Sequence, residues 1–456
     1  MDPYDEFTVQ NATVLTMEPG WEPVIADVQV AGGVIRAVGT EVRPRGAVVD
    51  GSGAIVLPGF VDSHRHVWQA ALRGIGSDFT LKDYLRSVRL HLAKAYRPED
   101  MYAGNYVGLL EAADSGITAV LDHSHNVLSV EHAEQALQGS IDAGVRTVFA
   151  YGLNEPPASE AALSVDSRLE LAQKLAGSIP AGQDLVTIGL ALPDAWRSGA
   201  DSISRGIDLA RRYGWRISLH ACTKLLRTPV SEVAVLRELG LVGDDMTWVH
   251  MNLADDEELR FVLDAGGAVS VTPDTEMQMG MGAPVTGRVL REGRLPSFGA
   301  DVVCSAPGDH FATMRMAMQA ERLLANLRAL RERGTWIDEV ELKARTVLEA
   351  ATLGGARALG LEDRIGSLRP GKQADLIVVR PDRIGAAPAT DPVGTLVTHC
   401  SAADVEWVFV AGRAVKADGR LVDDRWRELA AQTHHHIAAV IREEGVLPSP
   451  PAPLPE

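Results

Sequence analysis

Cysteine is scarce in this chain. Its 456 residues include only Cys222, Cys304 and Cys400, far apart and odd in number. That argues against a disulfide framework and for a cytoplasmic location. Basic charge is also short, with 44 Lys and Arg against 61 Asp and Glu, a net charge of -17, and no long basic block. Nucleic acid and anionic membranes are therefore not expected as partners. No apolar run approaches the roughly 20 residues that span a bilayer. The opening MDPYDEFTVQ has neither the positive n-region nor the apolar h-region of a secretory signal. No internal repeat is evident. What the chain does have is 46% hydrophobic residues, enough for a large core. The length allows two or three domains, although an α/β barrel can absorb most of it as one unit.

Residues 6–57 read as short strands separated by Gly32-Gly33 and Gly51-Ser52-Gly53, and β-rich patterning returns after Gly366. Between these ends, apolar runs alternate with helix-like stretches. After the run that precedes His64 come TAVLDHSH (118–125), RTVFAYGL (146–153), VTIGLALP (186–193) and RISLHAC (216–222). MTWVHM (246–251), AVSVTP (268–273) and PSFGAD (296–301) complete the set. Helices are expected over 80–96, 129–143, 200–213, 229–239, 255–265 and 310–330. Eight such units predict an α/β fold, a (β/α)8 TIM-like barrel whose site lies at the C-terminal ends of the strands. The two β-rich ends are expected to pair into a small composite β-sandwich domain. The expected division is 1–58 and 365–423 for the sandwich, 59–364 for the barrel, and 424–456 for a final helix and disordered tail. In that helix His434, His435 and His436 fan out, which predicts a solvated surface run.

Six of the thirteen histidines close these apolar runs: His64 and His66, His123 and His125, His220, and His250; Asp301 closes the eighth. Residues two apart on a strand share a face, so the His64/His66 pair projects one way, as does the His123/His125 pair. A His-X-His pair alone is a weak signal, compatible with two solvated histidines at a strand end. Closure of the barrel would bring all these ends to one rim. His64, His66, His220 and Asp301 would then offer three nitrogens and one oxygen, with a position left for water. Such a metal site suits a hydrolase, because the ion lowers the pKa of water toward ~7 and polarises the electrophile.

At PGFVDSHRHVWQAALRG, SFGAD, GMGAPVTGRVLREG and IGSLRPGKQADLIVV the chain resembles the amidohydrolase superfamily, in its cytosine deaminase-like and triazine hydrolase-like branch. The resemblance runs over nearly the whole chain. It implies one divalent ion, zinc or alternatively iron, held by His64, His66, His220 and Asp301. Asp301 would also accept the proton of the attacking water, and His250 would polarise the substrate or orient the water. The fourth run, VTIGLALPD, lacks the lysine that bridges two ions in binuclear members, so a single ion is expected. Ring deaminases of the branch carry a glutamate three residues after the fifth-strand histidine; here Thr223 stands there. Glu276 falls where the branch often has asparagine, and is expected either to supply the missing proton transfer or to bind a cationic substrate or cap a helix.

His123 and His125 are expected to line the substrate cavity, the alternative being packed histidines bonded to backbone. Trp68, Gln69 and Arg73 sit where the family's substrate contacts fall, and Thr223 and His310 are further candidates. Asp309 is suited to cap the helix that starts near His310. The expected activity is hydrolysis of a C–N bond in a small nitrogen-rich ring, by deamination or amine release. Thr223 keeps a different leaving group open, such as a halide or a cyclic amide. Outside enzymology the rival is a silent barrel serving as a scaffold. A small-molecule substrate and a homodimer are the expected partners.

Overall fold

The eight apolar runs form the parallel strands of one barrel in the computed structural model, which describes residues 4–153, 164–193, 200–223 and 231–444. The strands are Phe60–Arg65, Ile117–Ser124, Arg146–Gly152, Val186–Ala191, Ile217–Ala221, Met246–His250, Ala268–Val271 and Ser297–Phe298, each paired with the next in chain order. The first three are buried along their whole length, as expected of a parallel sheet covered on both faces. The eighth is two residues long, and closure happens just beyond it. There the Asp301 amide donates to the His64 carbonyl (2.9 Å), and the His66 amide donates to the Asp301 carbonyl (2.9 Å).

The expected helices at 129–143, 200–213, 255–265 and 310–330 appear as Val130–Asp142, Ala200–Tyr213, Asp256–Asp264 and His310–Arg333. The one at 229–239 appears as Glu232–Glu238, with residues 229 and 230 outside the described part. Asp309 caps the His310 helix, accepting from the Ala312 amide at 2.9 Å. The stretch 80–96 is helical without a break over 81–95, α-helical at Leu81–Tyr84 and Ala93–Ala95 and π-helical over Leu85–Leu92 between them. The longest helices outside the expected set are Pro98–Asp114 and Val165–Ser178. Eleven of the seventeen residues in the first are buried, so no apolar stripe stands out against a polar face.

Nine strands from both ends of the chain form a second sheet, joined where Ile55–Pro58 pairs antiparallel with Leu376–Val379. A bulge in Glu6–Val14, with Asn11 at φ 59°, lets that strand pair first with Ala47–Asp50 and then with Ile55–Pro58. Phe7, Val28, Val30, Leu376 and Phe409 share its core. A buried ion pair, Arg146–Asp375 at 2.8 Å, ties this sheet to the third barrel strand. Removing either partner would strand a buried charge, at about 3–5 kcal/mol.

The final helix spans Trp426–Glu444. His434 and His435 are exposed as expected, but His436 is not part of a solvated run: its Nδ1 lies 2.8 Å from buried Asp100. The tail expected to be disordered lies outside the described residues. All three cysteines are buried and none is in a disulfide. Among the described residues no helix is long and apolar enough to cross a membrane.

Candidate metal centre

His64 and His66 end the first strand, and Asp301 follows the eighth, so the seam that closes the barrel holds all three side by side. Asp301 Oδ1 is 3.3 Å from His64 Nε2 and 3.4 Å from His66 Nε2. Gly299 makes this approach possible, since a Cβ there would sit 2.6 Å from the His64 carbonyl oxygen. His220 closes the fifth strand and His250 the sixth. Their rings stack at 5.6 Å, and the His220 ring is 5.0 Å from that of His64. Two ligand groups result, His64–His66–Asp301 and His64–His220–His250, each with donor atoms within 4.8 Å of one another. They share His64. Asp301 (φ 57°), His250 (φ 76°) and Cys222 (φ 53°) all take left-handed backbone. Each such non-glycine residue carries about 1–3 kcal/mol of strain, which concentrates here at the ends of the strands that carry the site.

The imidazoles are set to act as ligands. Burial, followed by the charge on His250, pushes His64 well below its usual pKa. Burial and neighbouring imidazoles do the same for His220. His66 falls to about 3, through burial and then His64. The rings are therefore neutral, with lone pairs available. His66 Nδ1 donates to the His123 carbonyl (2.8 Å), which fixes the tautomer and leaves Nε2 for the centre. Both nitrogens of fully buried His64 lack a hydrogen-bond partner among the described residues. Leaving a buried polar atom unpaired costs about 1–3 kcal/mol. A cation among His64, His66, His220 and Asp301 would take up one of them, so these residues fit a divalent ion.

His250 departs from the other rings. Burial disfavours its charged form, yet the hydrogen bond from Nδ1 to Glu276, with the charges of Asp301 and Glu276, raises its pKa above 6.5. Nδ1 is 3.0 Å from Thr272 Oγ1 and 3.4 Å from Glu276 Oε1. Glu276 is fully buried in the turn Pro273–Gln278, and its Oε1 also accepts from the Thr272 amide (2.9 Å). The carboxylate thus stands behind His250, on the nitrogen that faces away from the ligand group, and also caps its own helix. Thr223 is half-buried, and the adjacent Cys222 is fully buried, its amide donating to Glu232 (2.9 Å).

The paired histidines of the second strand fall as alternation predicts. The His123 ring lies 4.4 Å from His220, with Nδ1 on Ser218 Oγ (3.0 Å) and Nε2 unpartnered. His125 stacks on His66 at 3.8 Å. On the opposite parity, Asp122 faces outward to the Val67 amide (3.2 Å) and to Asn105 (2.8 Å). Trp68 reaches the cluster through His125, its indole N–H 3.3 Å from Nδ1. Gln69 is buried and donates to the Tyr84 hydroxyl (2.7 Å), while its Oε1 has no partner.

Two expected contacts are displaced. Arg73 turns to Glu111 on the Pro98–Asp114 helix, because the intervening Val67–Leu72 segment is a 3-10 helix that turns the chain away. His310 bonds the Val61 carbonyl (3.1 Å) beside Phe60, near the start of the first strand rather than the end that carries His64. Sequence reading also misses Thr272, Ser218 and Tyr84, which hold His250, His123 and Gln69. A hydroxyl in a strand or helix gives no signal of its own before the partner ring is placed.

A model of the amidohydrolase family matches residues 55–422. A 5-methylthioadenosine/S-adenosylhomocysteine deaminase of Syntrophus aciditrophicus is 28% identical over 428 residues, covering 91% of this chain and 92% of its own. One from Pyrococcus furiosus is 25% identical over 410 residues, covering 88% and 92%. The fold is shared with a zinc-bound adenosine deaminase from Xanthomonas campestris (TM-score 0.84, 24% identity, 95% and 98% coverage). It is shared too with an atrazine chlorohydrolase of Arthrobacter aurescens TC1 complexed with zinc (TM-score 0.82, 23% identity, 94% and 99% coverage). The chain belongs to the amidohydrolase family and, as its motifs imply, is a metal-dependent hydrolase of carbon–nitrogen bonds.

Proposed function

We propose that this enzyme removes ammonia or an amine from a small nitrogen-rich ring, with one zinc ion held by His64, His66, His220 and Asp301. The observation that carries this reading is the pair of candidate ligand groups joined at His64, whose two buried nitrogens have no hydrogen-bond partner among the described residues. Zinc is favoured over iron by the zinc named in two proteins of the same fold. The bound ion would supply an acidified water and polarise the reacting carbon. Asp301 sets one oxygen beside Nε2 of both His64 and His66, where the ion would be held, and its other oxygen is left to take the proton and return it to the leaving nitrogen.

His250 replaces the carboxylic acid missing at Thr223. With Nδ1 occupied by Thr272 and Glu276, Nε2 is the atom left to donate a proton toward the substrate. Glu276 is then a positioning residue, keeping His250 charged and oriented. His123 Nε2, Trp68 and the free oxygen of Gln69 form the polar and aromatic edge that reads the ring. Three cysteines outside any disulfide fit a reducing cytoplasm.

The test is ammonia release from aminated purines, pyrimidines and triazines by enzyme of verified metal content. Release from at least one class is expected, with loss of about 10²-fold or more in an Asp301→Asn variant. A second reading, release of a halide or opening of a cyclic amide, is favoured by Thr223 alone. Halide release or ring opening with neither ammonia nor an amine formed would replace the first reading with it.

A further inference from the structure

The Val67–Leu72 segment is a 3-10 helix with His66 at its N-cap, and the Gln69 amide donates to the His66 carbonyl (3.1 Å). Side chains three apart in such a helix eclipse one another, so Gln69 projects on the side of His66. Its Nε2 donates to the Tyr84 hydroxyl (2.7 Å), and its Oε1 has no partner among the described residues. Tyr84 takes that bond as an acceptor, which leaves its own O–H proton to give. Among the described residues nothing accepts it. Both side chains are buried, Gln69 at 0% exposure and Tyr84 at 5%. Buried polar atoms are almost always bonded, so an open acceptor beside an open donor marks a place for the polar edge of a ligand.

The pair is firmly placed. Tyr84 closes the turn Leu81–Tyr84, whose N-cap Thr80 exchanges hydrogen bonds with Asp83. The Leu81 amide donates to the Met279 carbonyl (3.2 Å), which pins that turn to the segment after the seventh strand. Burial, opposed by Arg89 and reinforced by Cys304 and Asp301, pushes the Tyr84 hydroxyl far above its usual pKa of 10. It stays a donor at every working pH, within reach of the Asp301 charge. By amide geometry Gln69 Oε1 is about 2.3 Å from Nε2, so the two open atoms lie no more than about 5 Å apart. Two neighbouring groups on one ring can meet both. An acceptor beside a donor is complementary to an N–H beside an acceptor. The reacting amino group faces the metal centre, so the pair is left to read another edge.

We propose that Gln69 Oε1 and the Tyr84 hydroxyl together determine specificity, reading a second edge of the substrate ring where an N–H stands beside a carbonyl or a ring nitrogen. This rests on the proposed attack at a ring carbon of this centre. The probes are isocytosine, whose second edge is a cyclic amide, 2,4-diaminopyrimidine, whose second edge is an amino group beside a ring nitrogen, and 2-aminopyrimidine, which has no second edge. Calorimetric titration of the zinc-loaded enzyme should show at least one of the first two binding about ten-fold or more tighter than the third, and the tighter one names the acceptor. Tyr84→Phe should cut that preference about ten-fold, a ratio that a purely structural role would leave unmoved. Gln69→Met, which keeps the volume without the amide, should do the same and decides the matter where Tyr84→Phe does not fold. Equal or undetectable binding of the three probes by the wild type overturns the proposal, as does a preference that the folded variant leaves intact. Ammonia is measured in parallel: preference without ammonia removes the hydrolysis reading and leaves the pair its role, and ammonia without preference does the reverse.

Discussion

Gly299→Ala tests whether the barrel seam builds the metal centre. A Cβ at residue 299 would lie 2.6 Å from the His64 carbonyl oxygen, 2.9 Å from His64 Cβ and 3.0 Å from its amide nitrogen. Ordinary contact begins near 3.4 Å, so the eighth strand must move off the first by about 0.8 Å. The two seam hydrogen bonds, both 2.9 Å, would then lengthen past hydrogen-bonding range. Losing them costs about 1 kcal/mol each, and overpacking adds roughly 1–3 kcal/mol, so stability should fall by about 3–5 kcal/mol. Asp301 moves with the strand, away from His64 and His66. Metal affinity should drop about 10–100-fold and turnover at saturating metal about 10²-fold. Chelator competition followed by elemental analysis reads the affinity, and steady-state kinetics reads the rate. Wild-type affinity together with wild-type turnover would show that the seam does not set the ligand geometry.

Four further outcomes are expected. In Glu276→Gln, burial is no longer opposed and His250 loses its proton at lower pH; the stability that its charged ring contributes, present below about pH 6.5 and lost as pH rises through the raised folded value, should shrink. The alkaline limb of the rate should move to lower pH, with turnover down about 10²-fold; near-normal turnover with an unmoved limb refutes the positioning role. Thr223→Glu should leave the wild type little changed but recover part of the activity of Glu276→Gln; no recovery means that position 223 cannot reach the reacting atoms. Burial pushes Asp122 up to about 7 from 3.8, against hydrogen bonds from Val67 and Asn105, so its contribution is present below about pH 4 and lost as pH rises to about 7, roughly 4 kcal/mol. The Tm of Asp122→Asn should therefore gain on the wild type between about pH 4 and 7, and a constant difference would refute the assignment. Removing metal with a chelator should lower Tm, and zinc should restore it in proportion to occupancy; a Tm indifferent to metal contradicts the ligand assignment.

The convergence of the candidate ligands was legible because strand period and barrel closure act together. Period-2 alternation put His64 with His66 and His123 with His125, and the barrel brought distant strand ends to one rim. What followed the strands was not legible. Glu276 sits one turn into a helix that opens at Pro273, and only the folded turn shows its carboxylate behind His250 rather than facing the ligands. Arg73 follows a 3-10 segment whose direction the sequence does not reveal. His310 occupies the first turn of a helix that runs down the outside of the barrel, and its ring meets the Val61 carbonyl. The buried helix Pro98–Asp114 escaped because a segment covered on nearly all sides shows no amphipathic contrast.

Three of the four proposed ligands lie on the two edges that complete the hoop of strands. On that proposal, losing the cation and unzipping the barrel are one equilibrium seen from two sides. Amide exchange at His66 and Asp301 should report occupancy as directly as an elemental assay. A terminal strand of two residues, too short to hold its place by backbone pairing alone, would then owe its position largely to the ion at its tip.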